Sequence, residues 1–300
     1  MSGKNAKVSI LMNGYNAQSY LKEAIDSIYQ QTFQDWEIIF IDNCSTDSTK
    51  KIVKSYDDKI KYYQTDINIP IGAARNFGLQ YCNGEYLAFL DTDDIWMPEK
   101  LQKQVSILDK NHEYQFCYTG VIYINEQSNK IGTTIPKAKS GYVFPQQLIR
   151  YEINQQSIIV RNNIDIHIDE NLYHAPDFCM FMNISSKYEG FVLKEYLVKY
   201  RKHANSLTSK NIEIWWSEMK IVLDDIFEKN KYLQEKYPKE YQYAYAKVAY
   251  NKARYLMSIS NRKDANEELA KYKYVDIKYF ILYIISFFPI SIWNFIHRLK

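Results

Sequence analysis

The sequence predicts an α/β protein built on a mostly parallel, doubly wound, Rossmann-like sheet flanked by helices, with a helical region and an apolar tail behind it. Three observations carry this. Short β-branched apolar runs alternate with helical-period segments through the first 125 residues, the pattern turns helical from residue 211, and Tyr279 to Ile296 is uncharged and rich in aromatics. A chain of 300 residues has room for one large α/β domain and a smaller appendage. The expected division is 1–210, 211–275 and 276–300.

Val8 to Met12 is the first predicted strand. Asn16 or Ser19 can cap the following helix, whose inward face is Leu21, Ala24, Ile25 and Ile28 at spacings of three and four. Trp36 to Asp42 is the second strand, and STDST opens a helix through hydroxyl and carboxylate caps, with Ile52, Val53 and Tyr56 inward. The scheme repeats with Ile60 to Gln64 as strand, Ala73 to Tyr81 as helix, an Asn83-Gly84 turn, and Glu85 to Leu90 as strand. Residues 126–170, with Gly132, Gly141, Pro136 and Pro145, read as loops and short strands near the site. From Asn211 to about Lys273 the chain reads as helices broken at Pro238, with Ala244, Val248, Ala253 and Leu256 as packing positions and a helical hairpin in KARYLMSISNRKDANEEL.

Composition excludes some classes. A net charge of +3 from 38 basic and 35 acidic residues is too balanced for a nucleic-acid footprint. Cys44, Cys82, Cys117 and Cys179 form no CxxC pair, which fits a reduced protein better than a disulfide frame or a zinc site. MSGKNAKVSILMNGYN has no signal-peptide apolar region, so a cytoplasmic location is expected. The 279–296 stretch is short for a spanning helix, is interrupted by Pro289, and is flanked by Lys271, Lys273 and Lys278 before and His297, Arg298 and Lys300 after. These features predict an interfacial or re-entrant anchor on the inner leaflet, against a span or a buried core helix.

Asp91-Thr92-Asp93-Asp94 directly follows the strand EYLAFL, which puts its carboxylates at the carboxyl edge of the sheet, where open α/β sheets bind ligands. Three carboxylates in four residues repel one another, and hard oxygen ligands of this kind suit Mg²⁺ or Mn²⁺ bridging to a diphosphate. A capped turn before MPEKL is the structural alternative. Arg75, read at a helix start in IGAARNFG, can meet phosphate oxygens together with backbone N–H groups, or be an ordinary surface arginine. Asp42-Asn43 and Tyr15-Asn16 end two further strands at the same edge.

VSILMNGYNAQSYLKEAIDSIYQQTFQDWEIIFIDNCSTDST followed by GAARNFGLQYCNGEYLAFLDTDD resembles the nucleotide-sugar domain of the inverting family-2 glycosyltransferases, which have the GT-A fold. DENLYHAPDFCMFMNI resembles the segment that carries the family's catalytic aspartate, and YRKHANSLT (Tyr200 to Thr208) resembles its motif that closes over the diphosphate, so the resemblance covers about residues 6–208. It implies that Tyr15 and Asn43 hold the base, that Arg75 contacts base or phosphate, and that Asp91 and Asp93 handle ribose and metal, with Asp94 a further metal candidate. It also implies that Asp177 is the general base and that Arg201 and His203 contact phosphate or metal. Asn13, counted with the nucleotide-sugar residues, stands where the family commonly has proline. Asn43 stands for a second aspartate, Cys44 for glycine, and Pro176 for the glutamate before the base.

The implied activity is that of a metal-dependent enzyme that moves one sugar from a nucleotide-diphosphate donor to a hydroxyl of a glycan or lipid-linked saccharide, with inversion in one displacement. No QxxRW pattern, carried by processive relatives, occurs. A sugar-phosphate nucleotidyltransferase would open with a glycine-rich, basic phosphate loop, which SILMNGYN lacks. The other alternative is a catalytically inactive, membrane-attached nucleotide-sugar binder or assembly protein. For Asp177 the competing role is a helix cap after Pro176.

Overall fold

The structure, a computed structural model, describes residues 5–166, 168–203 and 212–298. Ala204 to Thr208 of the YRKHANSLT motif, Asn211 and Lys300 lie outside the described residues, as do the side chains of His297 and Arg298.

In chain order the elements are β1 (Val8–Gly14), α1 (Leu21–Tyr29), β2 (Trp36–Asp42), α2 (Thr49–Val53), β3 (Ile60–Gln64), α3 (Ile71–Leu79), β4 (Tyr86–Phe89), β5 (Ile95–Trp96) and α4 (Lys100–Lys110). Then come β6 (Phe116–Ile124), β7 (Lys130–Thr134), α5 (Phe144–Ile149), a 3₁₀ turn at Gln155–Ser157, β8 (Ile159–Arg161), α6 (Pro176–Lys187) and β9 (Gly190–Arg201). The remainder is helical: α7 (Ile212–Lys229), α8 (Lys231–Lys236), α9 (Pro238–Ser258), α10 (Arg262–Ala270), α11 (Ile277–Ile285) and α12 (Ile290–Arg298). The chain divides into two compact units, Met1–Val143 with Glu152–Ala204, and Phe144–Tyr151 with Asn205–Lys300.

In the first unit the described strands form one sheet in the order β3-β2-β1-β4-β8-β6-β9-β5, with β7 beside β6. The β3-β2-β1-β4 half is parallel, as the alternating pattern predicts. β8 runs antiparallel to both β4 and β6, a reversal that a three-residue strand gives too little periodicity to foresee. Side chains alternate across the sheet. Val8, Ile10 and Met12 pack in one core with Leu21, Ala24, Ile25 and Ile28 of α1 and Leu101, Val105 and Leu108 of α4. On the opposite face α3 lies against Leu11 and Ile41, and Phe181 of α6 meets Phe89 edge-on at 5.9 Å.

Three local expectations are corrected. α1 starts after Tyr20 with no side-chain cap, because Asn16 sits in the left-handed region (φ 49°) and spends its Oδ1 on the Thr46 N–H across the loop. α3 begins at Ile71 because Pro70, its backbone extended, hands the chain straight into the helix, so Arg75 lies in the second turn and not at the start. α5 appears where only loops and short strands were expected.

In the second unit α9 and α10 form the expected hairpin, turning at Ser260 (φ 62°), with Ala244, Val248, Ala253 and Leu256 buried. The apolar stretch is not one helix. α11 and α12 are separated by Ser286–Pro289, and no described helix is long and apolar enough to cross a membrane. Tyr279 and Trp293 are buried, whereas Ile281, Ile284, Phe287, Phe288 and Phe295 are exposed.

Gly78 lets α3 approach the sheet: a Cβ there would lie 2.4 Å from Leu11 Cδ1 and 2.8 Å from Ile41 Cγ1. Gly78→Ala should therefore cost about 1–3 kcal/mol through overpacking, read as a lower urea midpoint at unchanged slope. An unchanged midpoint would mean that the helix can lift off freely.

Candidate active site

Two loops at the carboxyl edge are laced together. The loop after β1 gives its Asn16, Ala17 and Gln18 N–H groups to Ser45 Oγ, Thr49 Oγ1 and Asp47 Oδ2 of the loop after β2 and the start of α2. In return Asn16 Oδ1 and Gln18 Oε1 accept from the Thr46 and Ser48 N–H groups. Asp42 is fully buried at the end of β2, where Oδ1 takes the Ser45 N–H at 2.8 Å and Oδ2 the Tyr62 hydroxyl at 2.7 Å. Cys44, which stands where the family pattern has glycine, adopts φ 63°, the conformation that glycine enters without strain. Tyr15 is exposed at the rim of this wall.

Asn43 is engaged within the chain. Its amide donates to the Ile69 carbonyl at 2.7 Å and accepts the Ile69 N–H at 3.0 Å, so it clasps the loop before α3 instead of presenting an open acceptor to a base.

The turn Asp91–Asp94 divides its carboxylates. Asp94 is buried, accepts the Arg201 N–H at 2.7 Å through Oδ1, and leaves Oδ2 without a partner. Its carboxyl is pushed well above the usual range by burial and by Asp93 and Asp91. Asp93 remains partly open, with Oδ2 2.8 Å from His203 Nε2. Asp91 is approached by Arg75 Nη2 at 3.4 Å and by Gln155 Nε2 at 3.3 Å. Burial, outweighing Arg75 and joined by Asp93 and Asp177, pushes Asp91 up to about 6.

Arg201 is turned inward. Only 1% exposed, it donates from Nε to the Asp93 carbonyl at 2.9 Å and from Nη1 to Asn125 O, Glu126 O and Ser128 Oγ, while Nη2 meets Glu23 Oε2 at 2.5 Å. The ring of Tyr20 lies 4.4 Å beneath the guanidinium and 5.5 Å from the His203 ring. The fork is committed to this internal frame. Arg75 is the opposite case. It is 5% exposed, its only ion pair among the described residues is the long one to Asp91, and Nε has no partner. A buried guanidinium so poorly satisfied is costly unless an anion completes it.

Asp177 occupies the first turn of α6, one residue after Pro176, with Ala175 as the cap, so it is not itself the N-cap. Burial raises its carboxyl, partly countered by Arg75 and by the backbone N–H groups of Phe178 and Asp177. Asn13 projects from the β1 face shared with Leu11, and its buried Nδ2 has no partner. Glu23, Tyr20 and Gln155 escaped the sequence reading. Glu23 looks like an ordinary acidic residue of a helix first turn, and nothing local ties it to a residue 178 positions away.

Among the described residues no group of three His, Cys, Asp or Glu side chains is set to hold a metal. Asp93 and His203 nevertheless offer two adjacent donors, one hard oxygen and one imidazole nitrogen. An oxygen and an imidazole donor side by side would suit Mn²⁺ better than Mg²⁺.

A model of Glycosyl transferase family 2 matches residues 9–182. The chain is 31% identical over 207 residues to an uncharacterized glycosyltransferase of Methanocaldococcus jannaschii, covering 65% of this chain and 70% of that one. It is 30% identical over 213 residues to the UDP-Glc:alpha-D-GlcNAc-diphosphoundecaprenol beta-1,3-glucosyltransferase of Escherichia coli, covering 69% and 81%. The crystal structure of S. aureus TarS in complex with UDP aligns with a TM-score of 0.60 at 21% identity over 80% of this chain and 70% of that one. At that identity the likeness speaks for the fold alone.

The crowding of carboxylates gives a stability signature. Asp91 holds its proton up to about pH 6 when folded, against an ordinary 3.8, so the stability it contributes is present at low pH and lost as pH rises through about 6. Asp91→Asn should therefore raise the melting temperature relative to wild type at pH 7.5 and gain less at pH 4.5. An equal gain at both values would show that Asp91 titrates normally.

Proposed function

The chain belongs to glycosyltransferase family 2, and from that premise we propose that it is an inverting, cation-dependent transferase that adds one sugar from a nucleotide-diphosphate donor to a hydroxyl of a glycan or lipid-linked saccharide. The observation that carries the reading is Arg75, a buried and under-satisfied guanidinium on the crevice side of α3 beside Asp91. A diphosphate oxygen supplies the charge it lacks. Tyr15, exposed after β1, and Asn13, whose buried Nδ2 has no partner, are assigned to the base and ribose. The relative from Escherichia coli is named for a UDP-glucose donor and a diphosphoundecaprenol-linked acceptor, which supports a lipid-linked acceptor here.

Asp93 and His203, with Asp91 beside them, are the residues to hold Mg²⁺ or Mn²⁺; when bound, the cation neutralises charge on the departing nucleoside diphosphate. Asp94 is assigned to the framework. Arg75 stabilises the same developing charge from the other side. Asp177 accepts the acceptor hydroxyl's proton as that oxygen bonds to the anomeric carbon and the carbon–oxygen bond to the diphosphate breaks. One displacement inverts the centre. Burial helps, because a carboxylate of raised pKa takes a proton more readily at neutral pH. The inactive-binder alternative is separated from this reading by donor hydrolysis or transfer by the purified protein.

Membrane attachment is the second part of the proposal. Ile277, Ile281, Ile284 and Phe288 follow one another at helical spacing along α11 and its end, all exposed, and Lys273 and Lys278 stand near this stripe. A short helix pair with an apolar outer face suits the interface of an anionic leaflet rather than a span.

Transfer by purified protein, screened over UDP-, GDP- and dTDP-sugars, should stop in EDTA and return with Mn²⁺, and Asp177→Asn should lose on the order of 10²-fold or more in kcat while binding donor normally. Full activity in EDTA removes the cation, and near-normal kcat in the variant moves the base elsewhere. For the tail, wild-type protein should sediment with anionic liposomes and a Phe287→Glu, Phe288→Glu variant should stay in the supernatant. Wild-type protein that ignores such liposomes overturns the attachment.

A further inference from the structure

Arg201 and Glu23 lie at the ends of elements far apart in sequence, and together they enclose the main chain that presents Asp93. The Glu23 carboxylate meets Arg201 Nη2 through Oε2 at 2.5 Å and accepts the Ser128 hydroxyl through Oε1 at 3.2 Å. Ser128 Oγ in turn accepts from Arg201 Nη1 at 2.9 Å, closing a ring of three side chains. From that ring Arg201 reaches the Asp93 carbonyl with Nε and the Asp94 carboxylate with its own N–H. Two residues further along the chain, His203 faces Asp93 Oδ2, its ring beside Tyr20, which also lies under the guanidinium. One planar fork thus fixes both partners of the Asp93–His203 pair: Asp93 through its carbonyl, and His203 through the end of β9 that carries it.

We propose that Glu23 and Arg201 are positioning residues for donor binding: by locking the Asp93 main chain and the β9 terminus into one frame, they set the spacing of the Asp93–His203 pair that receives the cation and diphosphate. This rests on the transferase reading. Neither residue touches donor. Arg201 is committed on its own network, and Glu23 acts only through Arg201 and Ser128. The fork geometry is what lets one side chain hold a carbonyl, a turn and a carboxylate at once, which a lysine ammonium cannot do.

Glu23 is the residue to test, because its side chain is 46% exposed and is the solvent-side member of the Arg201 network. Binding of UDP, GDP and dTDP, each with Mn²⁺, is measured by calorimetry on the full chain, and the nucleotide that wild type binds best is carried forward. Glu23→Ala should weaken that binding by about tenfold, the scale on which residues that orient metal ligands act. Glu23→Gln, which keeps an oxygen for Arg201 and an amide for Ser128, should recover most of it. The melting temperature is recorded alongside. Binding within twofold of wild type in Glu23→Ala, whatever the melting temperature does, overturns the positioning role and leaves only a structural pair. Failure of Glu23→Gln to improve on Glu23→Ala also counts against it. Absence of nucleotide binding by wild type itself would instead fell the transferase reading on which the inference stands.

Discussion

The burial of one guanidinium holds the carboxyl edge together. Taking Arg201 out of water is costly, and the cost is offset only because its N–H groups meet a carboxylate, a hydroxyl and main-chain carbonyls while an aromatic ring covers its face. Each partner belongs to a different stretch: Glu23 to α1, Asn125 and Ser128 to the turn between β6 and β7, Asp93 to the turn after β4. The parallel half of the sheet and its mixed half are therefore joined at the edge by polar contacts as well as through the ladder. The same arrangement divides the aspartates, since Asp94 is drawn inward by the Arg201 N–H while Asp91 and Asp93 stay partly exposed.

Negative charge is the second organising feature. Asp91, Asp93, Asp94 and Asp177 act on one another over short range, against Arg75 and Arg201. Burial raises three of these carboxyls, so the folded protein is less stable at neutral pH than an uncharged edge would make it, a pattern common where binding or catalysis is favoured over stability. Arg75 carries the complementary imbalance, a cation with too few partners. The two imbalances meet at the Arg75–Asp91 pair.

Much of the donor half was legible because it depends on local periodicity. β3 was bounded correctly, α1 buries the face its spacing predicts, and the carboxylates of DTDD follow a fully buried strand. What was not legible depends on partner choice. Asn43 and Arg201 were grouped with the nucleotide contacts by resemblance, and in the structure Asn43 meets Ile69 and Arg201 meets Glu23, since periodicity reports which side of an element is buried and not what it meets there. The cap expected at Asn16 was lost to a cross-loop bond for the same reason. Pro289 did signal the break between α11 and α12, because proline acts on its own backbone whatever lies around it.

The lacing of the loops after β1 and β2 has a thermodynamic consequence for recognition. Five cross-loop hydrogen bonds hold the Tyr15 wall in place in the free protein, so the entropy of ordering those residues is spent when the chain folds and is not deducted from the affinity of an arriving molecule. Encounter on that side then resembles docking against a rigid surface, its rate set by diffusion and orientation instead of by loop closure.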